Sequence, residues 1–213
     1  MQKSFAKILK GYKSFRNKYT RGNRSIMRNL SEHGQHPGIM VIACCDSRVD
    51  PALILQCDPG DLFVVRNVAN IVPPYEKDEL HHGVSAALEF AVCHLKVKHL
   101  ILLGHSQCGG IKTLLSDKPV VPNDFITNWV SIVDSEDHRH YDPDQYAKFA
   151  LHKSHANCLT FPWITQKIEN KELSIHLWFF DIKSGEIITY SAENNQYNPL
   201  DQATAAGIRA QGR

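Results

Sequence analysis

The chain has 213 residues, a formal net charge of +2 and 43% hydrophobic residues, a composition expected of one soluble domain spanning residues 1–213 with enough chain to bury a full core. No apolar run approaches the ~20 residues of a membrane-spanning helix, and the N-terminus lacks the continuous apolar stretch of a secretory signal. Six cysteines without short paired spacings fit a reducing compartment, so a cytoplasmic location is expected, with neither a membrane nor a nucleic acid as partner.

Basic residues run from Lys3 to Arg28 before the first acidic one, Glu32. Phe5, Ile8, Leu9, Tyr12 and Phe15 recur at helical spacing along the same stretch, which predicts an amphipathic helix with a basic face. Residues 1–34 read as an arm of the same domain whose apolar stripe packs on the body or on a partner subunit. A transit segment, a nucleic-acid contact and a membrane-surface helix are the competing readings.

Strand-length apolar runs follow at 39–44, 62–66, 99–103 and 175–181, with helical character over 50–56, 78–97 and much of 107–171. Ile187–Tyr190, after the Lys183-Ser184-Gly185 turn, reads as a hairpin partner of the last run and an antiparallel edge strand. The alternation predicts an α/β fold: a mostly parallel sheet of about four strands plus that edge strand, flanked by helices. The charged stretch Asp134–Asp144 reads as a solvated helix end and loop.

Two motifs sit just after buried strands: Cys44-Cys45-Asp46-Ser47-Arg48 and Gly104-His105-Ser106-Gln107-Cys108-Gly109-Gly110. Strand ends in an open α/β sheet converge on the ligand crevice, so Cys44, His105 and Cys108 can meet at one metal. Three protein donors and an open fourth position mark a catalytic zinc site, where a bound water is acidified toward a pKa of ~7. Asp46 can then orient the nucleophile, and Arg48 can hold Asp46 ionised. A lone His-x-x-Cys is weak evidence, since buried His and Cys are ordinary core residues, and a lone Asp-x-Arg is often a structural ion pair. Cys57, Cys93 and Cys158 read as small buried hydrophobes. His138-Arg139-His140 lacks a second convergent element and is weak evidence for another metal. The His-x-Glu and Pro-Cys-x-x-Cys pair of a zinc deaminase is absent.

These motifs, in this order, closely resemble those of the β-class carbonic anhydrases. The likeness continues through Pro59-Gly60-Asp61-Leu62-Phe63-Val64-Val65-Arg66-Asn67-Val68-Ala69-Asn70 and His82-Gly83-Val84-Ser85-Ala86-Ala87-Leu88-Glu89-Phe90-Ala91-Val92, as in the branch shared by plants and many bacteria. It implies reversible hydration of carbon dioxide to bicarbonate with one zinc per chain. Cys44 rather than Cys45, with His105 and Cys108, would be the ligands, and Asp46 and Arg48 the catalytic pair. It further implies that Gln35 donates a hydrogen bond to substrate across a subunit interface and that Phe63 and Phe90 line the pocket. Gly109 would present its backbone amide to the bound anion. A homodimer or higher homo-oligomer follows, with the arm embracing the neighbour. Val41, Arg66 and Phe180 stand where some bacterial members build a regulatory bicarbonate pocket from Trp, Arg and Tyr, so no such pocket is expected here. Hydrolysis of carbon disulfide or carbonyl sulfide is a same-fold alternative, and a non-catalytic zinc or nucleic-acid-binding module is one of another class.

Overall fold

The computed structural model describes residues 2–22, 25–78, 80–116, 124–135 and 141–202. Its centre is a six-stranded sheet formed by β1 (Ile39–Cys44), β2 (Leu62–Asn67), β3 (His99–His105), β4 (Ser174–Phe180), β5 (Ile187–Ser191) and β6 (Gln196–Pro199). The strand order is β2-β1-β3-β4-β5-β6. The first four strands run parallel, and β5 and β6 pair antiparallel. β1 and β3 are almost wholly buried, which is why they read as unbroken apolar runs rather than alternating ones. The α/β class and the four parallel strands agree with the sequence expectation.

β5 is not the edge. β6 pairs along it, setting Tyr197 opposite Tyr190. The sequence gives little sign of this strand, since Gln196-Tyr197-Asn198-Pro199 is mostly polar and too short for alternation to register.

The helices are shorter than their sequence patterns. α1 (Gln2–Tyr19) and α2 (Ile26–His33) are separate, because Gly22 takes a left-handed φ of 86° and the Ser25 hydroxyl caps a new helix by accepting from Arg28 N–H. Only Pro51–Ile54 (α3) is helical within 50–56. The run 78–97 begins instead at Gly83 with α4 (Gly83–Glu89) and continues into one π-helical turn, Phe90–Leu95. Ahead of it the Asp78 carboxylate accepts from both Leu80 N–H and His82 Nε2, a turn that competes with a helix. The region 107–171 divides into α5 (Gly109–Leu114), α6 (Phe125–Val130), α7 (Pro143–Cys158) and α8 (Pro162–Glu169). His138, Arg139, His140 and the basic Arg24 lie outside the described residues.

α7 packs against β3 and β4 with Tyr146, Ala147, Ala150, Leu151, Ser154 and Cys158 buried. Gly104 is glycine because a Cβ there would stand 3.0 Å from Leu151 Cδ1. Helix and strand thus meet in contact one residue before His105.

The arm does not pack its stripe on this body. Phe5, Ile8 and Tyr12 are 64%, 65% and 58% exposed. What ties α1 down is polar and at its end: the Tyr19 hydroxyl donates to Asp58 at 2.6 Å, and Lys18 reaches the same carboxylate at 3.2 Å.

Burial holds the imidazoles of His152, His155 and His176 below the ordinary value of 6.5. The unfolded chain therefore binds protons near pH 6 that the folded chain refuses. Their stabilising contribution is full above 6.5 and is lost as pH falls toward the depressed folded values. The melting temperature is expected to drop between pH 7.5 and 5.5, and to drop less in a His152→Gln/His155→Gln double variant. Equal pH dependence in the two proteins would remove these histidines from the account.

Candidate metal centre

Chain direction in the sheet decides where the site lies. From β1 the chain crosses to β2 on one side, and from β3 it crosses to β4 on the other. Loops leaving neighbouring strands in opposite directions open a crevice at their carboxyl ends. Register puts Ala43 beside Leu103, so Cys44 comes level with Gly104, and His105 follows one residue on at that opening. Cys108, at the head of α5, completes the group.

The donor atoms of Cys44, His105 and Cys108 lie within 4.8 Å of one another, and all three residues are buried. The two sulfurs are 4.0 Å apart. Two sulfurs held at ~2.3 Å by one tetrahedral zinc would stand about 3.8 Å apart, so the spacing suits that ion. His105 Nδ1 lies 2.9 Å from the Ser106 carbonyl, which assigns the proton to Nδ1 and leaves the lone pair on Nε2. That Nε2 is buried without a hydrogen-bond partner among the described residues. An unpaired buried lone pair beside two sulfurs is costly unless a cation receives it. The donor set fits a borderline-soft divalent ion such as zinc.

The two thiols lie close enough to share a hydrogen bond. A hydrogen bond from Cys108 holds Cys44 well below the usual thiol range. The same bond, with burial, pushes Cys108 far up. Two adjacent buried thiolates would repel each other, a cost that a dication held between them would remove.

Arg48 grips Asp46 from its Nε to Oδ1 at 2.9 Å and from its Nη2 to Oδ2 at 2.6 Å, while Arg48 N–H also donates to Oδ1 at 3.0 Å. The guanidinium holds the Asp46 carboxyl far below the ordinary carboxylate range, although burial opposes it. Asp46 N–H turns toward Cys44 Sγ at 3.4 Å. The carboxylate is thus favoured in its charged form and held by Arg48, on a residue whose backbone touches one of the three donors.

Several supporting residues lie in the run Pro59–Asn70 that carries the family likeness, but the sequence assigned them no part in holding the site. Arg66 donates to the Cys44 carbonyl at 2.9 Å, the Asp46 carbonyl at 2.7 Å and Asp50 at 2.8 Å, stapling the whole first loop to β2. Asn67 closes a two-way bond with the Ile71 backbone, 2.8 Å each way. This holds Ala69 and Asn70 in left-handed conformations. Register opposite Ala43 and Cys44 was the signal that would have pointed to both.

The pocket residues are spread more widely. Phe63 and Phe90 have ring centroids 5.9 Å apart, and Phe90 stacks on His94 at 5.6 Å. An added Cβ on Gly109 would meet nothing within 4 Å, so its backbone borders open space. Gln35 is exposed in the loop before β1 and is not brought to the three donors within the single chain. A second group, Glu76, Asp78 and His82, also has donor atoms within 4.8 Å. It is more exposed, and its imidazole is already bonded to Asp78 at 2.6 Å.

Residues 39–187 match the family model described as carbonic anhydrase. The chain is 34% identical over 197 residues to a carbonic anhydrase of Synechocystis sp. (strain ATCC 27184 / PCC 6803 / Kazusa), covering 86% of this chain and 70% of that protein. Among solved structures it resembles the beta-carbonic anhydrase CcaA with a TM-score of 0.82 and 32% identity, over 92% of each chain. Tetrameric beta-carbonic anhydrases from Sordaria macrospora match with a TM-score of 0.68 and 32% identity, over 87% of this chain and 93% of theirs.

Gly110 is the tightest packing point near the ligands: a Cβ there would lie 2.6 Å from Val68 Cγ1 and 3.0 Å from Ala69 Cβ. Gly110→Ala is expected to cost about 1–3 kcal/mol by overpacking, measured by urea unfolding. Wild-type stability in that variant would mean that the loop under α5 yields freely.

Proposed function

The chain belongs to the β-class carbonic anhydrase family of enzymes, and on that premise we propose that it hydrates carbon dioxide reversibly to bicarbonate and a proton, using one zinc ion per chain. The observation that carries this reading is Asp46, gripped through both carboxylate oxygens by Arg48, close to the buried Cys44–His105–Cys108 group.

Two thiolates and the Nε2 of His105 would hold the zinc, which when bound supplies an acidified water as nucleophile near neutral pH. Asp46 would accept a hydrogen bond from that nucleophile and so aim its lone pair. Arg48 keeps Asp46 from picking up a proton and from rotating away. Phe63 and Phe90 offer an apolar wall to an uncharged linear substrate, and the Gly109 amide donates to the anion that forms. Gln35 serves the neighbouring subunit of a homodimer or higher oligomer, in which the apolar stripe of α1 finds its cover. A reducing cytoplasm suits two thiolate ligands and six free cysteines.

The reading includes freedom from bicarbonate control. Val41 is fully buried in the core, Phe180 is nearly so, and Arg66 is committed to Asp50 and two backbone carbonyls. On this reading Val41 and Phe180 supply no polar group to a bicarbonate pocket, and the zinc keeps its water at neutral pH instead of being closed off by Asp46.

Stopped-flow hydration of carbon dioxide by the zinc-loaded protein is expected to rise through one ionisation between pH ~6.5 and ~9. Inhibition by bicarbonate should be non-cooperative. Asp46→Asn should lower kcat by about 10²-fold or more with zinc content unchanged. No turnover by protein holding one zinc per chain would overturn the proposal, whether or not carbonyl sulfide is then hydrolysed. Deleting residues 1–22 should shift the assembly toward monomer in light scattering; an unchanged mass would free α1 from any role in it.

A further inference from the structure

The turn that carries His105 and Cys108 to the same point is strained at its middle. Gln107 is not glycine, yet it adopts a left-handed φ of 57°, a conformation that L side chains leave unless something holds them. Its neighbour Ser106 is tied to the end of β4, through its N–H to the Phe180 carbonyl at 3.0 Å and its hydroxyl to Asp181 and Ile182 N–H. Gln107 has no such strand to lean on, but three of its polar groups are engaged. Its N–H donates to Asp144 Oδ1 at 2.6 Å. Its side-chain oxygen accepts from Lys112, and its carbonyl accepts from Arg48 Nη2 at 3.3 Å.

The last of these bonds joins the two motifs. Arg48 rests on Asp46 on one side and on the Gln107 carbonyl on the other, so the orientation of that backbone reaches the carboxylate. Asp144 comes from far along the chain, in the first turn of α7, a sixteen-residue helix whose start is capped by Asp142. The helix is buried along one face and supplies a rigid mount. Asp144 itself, the last residue of the charged stretch, is therefore not merely solvated.

We propose that Asp144 is a positioning residue: by accepting the Gln107 N–H it holds the strained backbone between the two ligands, and through Arg48 it keeps Asp46 aimed at the nucleophile. This rests on the reading of Cys44, His105 and Cys108 as metal ligands and of Asp46–Arg48 as the catalytic pair. Without Asp144 the backbone at Gln107 is free to turn over, withdrawing the carbonyl from Arg48 and loosening the segment that carries Cys108.

The test compares Asp144→Ala with Asp144→Asn, which keeps an oxygen acceptor of the same reach. Two readouts are taken: the rate at which a chromogenic chelator strips zinc, and kcat and KM for carbon dioxide per bound zinc. Asp144→Ala is expected to release zinc about tenfold faster and to lose about tenfold in kcat at nearly constant KM, the usual scale for a group behind a metal ligand. Asp144→Asn should recover to within about threefold on both counts. In a Gln107→Gly background, where the left-handed conformation is free, the effect of Asp144→Ala should shrink. The proposal fails if Asp144→Ala matches wild type in zinc release and kcat. It also fails if Asn and Ala behave alike and lower only the melting temperature, as loss of a charge from the first turn of α7 would do. A wild type that binds zinc but does not turn over carbon dioxide would defeat the catalytic reading alone, and the zinc-release comparison would still decide the role of Asp144. A wild type that binds no zinc would defeat both.

Discussion

The parallel pairing of β1 with β3 is the constraint on which everything at the centre depends. Their register, Ala43 beside Leu103, brings two chain ends to one place while their connections leave in opposite directions. A sulfur and an imidazole are delivered there by backbone that both sheet faces bury, so neither can drift. The third donor costs only a short turn and the start of α5. A site so built needs no dedicated scaffold, because the crevice is a by-product of how the sheet is threaded.

Backbone conformations that are uncomfortable alone surround this crevice. Ala69, Asn70 and Gln107 all have positive φ, and each is held by a side chain from elsewhere in the chain or by a packed neighbour. Strain near a reactive group is tolerated when the surroundings over-determine it. Arg66 shows the same logic with a charged group: its donors are spent on carbonyls of the first loop and on Asp50, which fixes the loop and leaves Arg48 to serve Asp46. Two arginines with similar chemistry thus divide the work, one on backbone and one on a carboxylate.

Much of this was legible in the sequence, for physical reasons. Doubly buried strands must be continuously apolar, so β1 and β3 stand out. Soft, ionisable donors placed straight after two such strands converge in the crevice, where a shared cation relieves the cost of burying them, and the family to which the chain belongs was recognisable from those residues. The illegible parts are those whose cause is remote. Arg66 acts on carbonyls 22 and 20 residues away, and Asp144 acts on an amide 37 residues away. No local pattern encodes such partners. The helix expected from residue 78 was lost to a turn made by Asp78 itself, a competition between side chain and backbone that periodicity does not register. β6 was missed because a polar four-residue strand has no apolar period to detect.

That unassuming strand has a consequence for how the sheet meets other chains. Every open sheet has two margins of unpaired amides and carbonyls, each a template for unwanted strand addition. β6 guards one of them by being short, polar and closed by Pro199, whose ring nitrogen offers no donor. The other margin, β2, is of a different make: it is six residues long, carries Val64 at 39% exposure and contains Phe63. Among the described residues the two margins of the sheet thus differ in kind, one short and polar, the other longer and bearing the pocket aromatic Phe63.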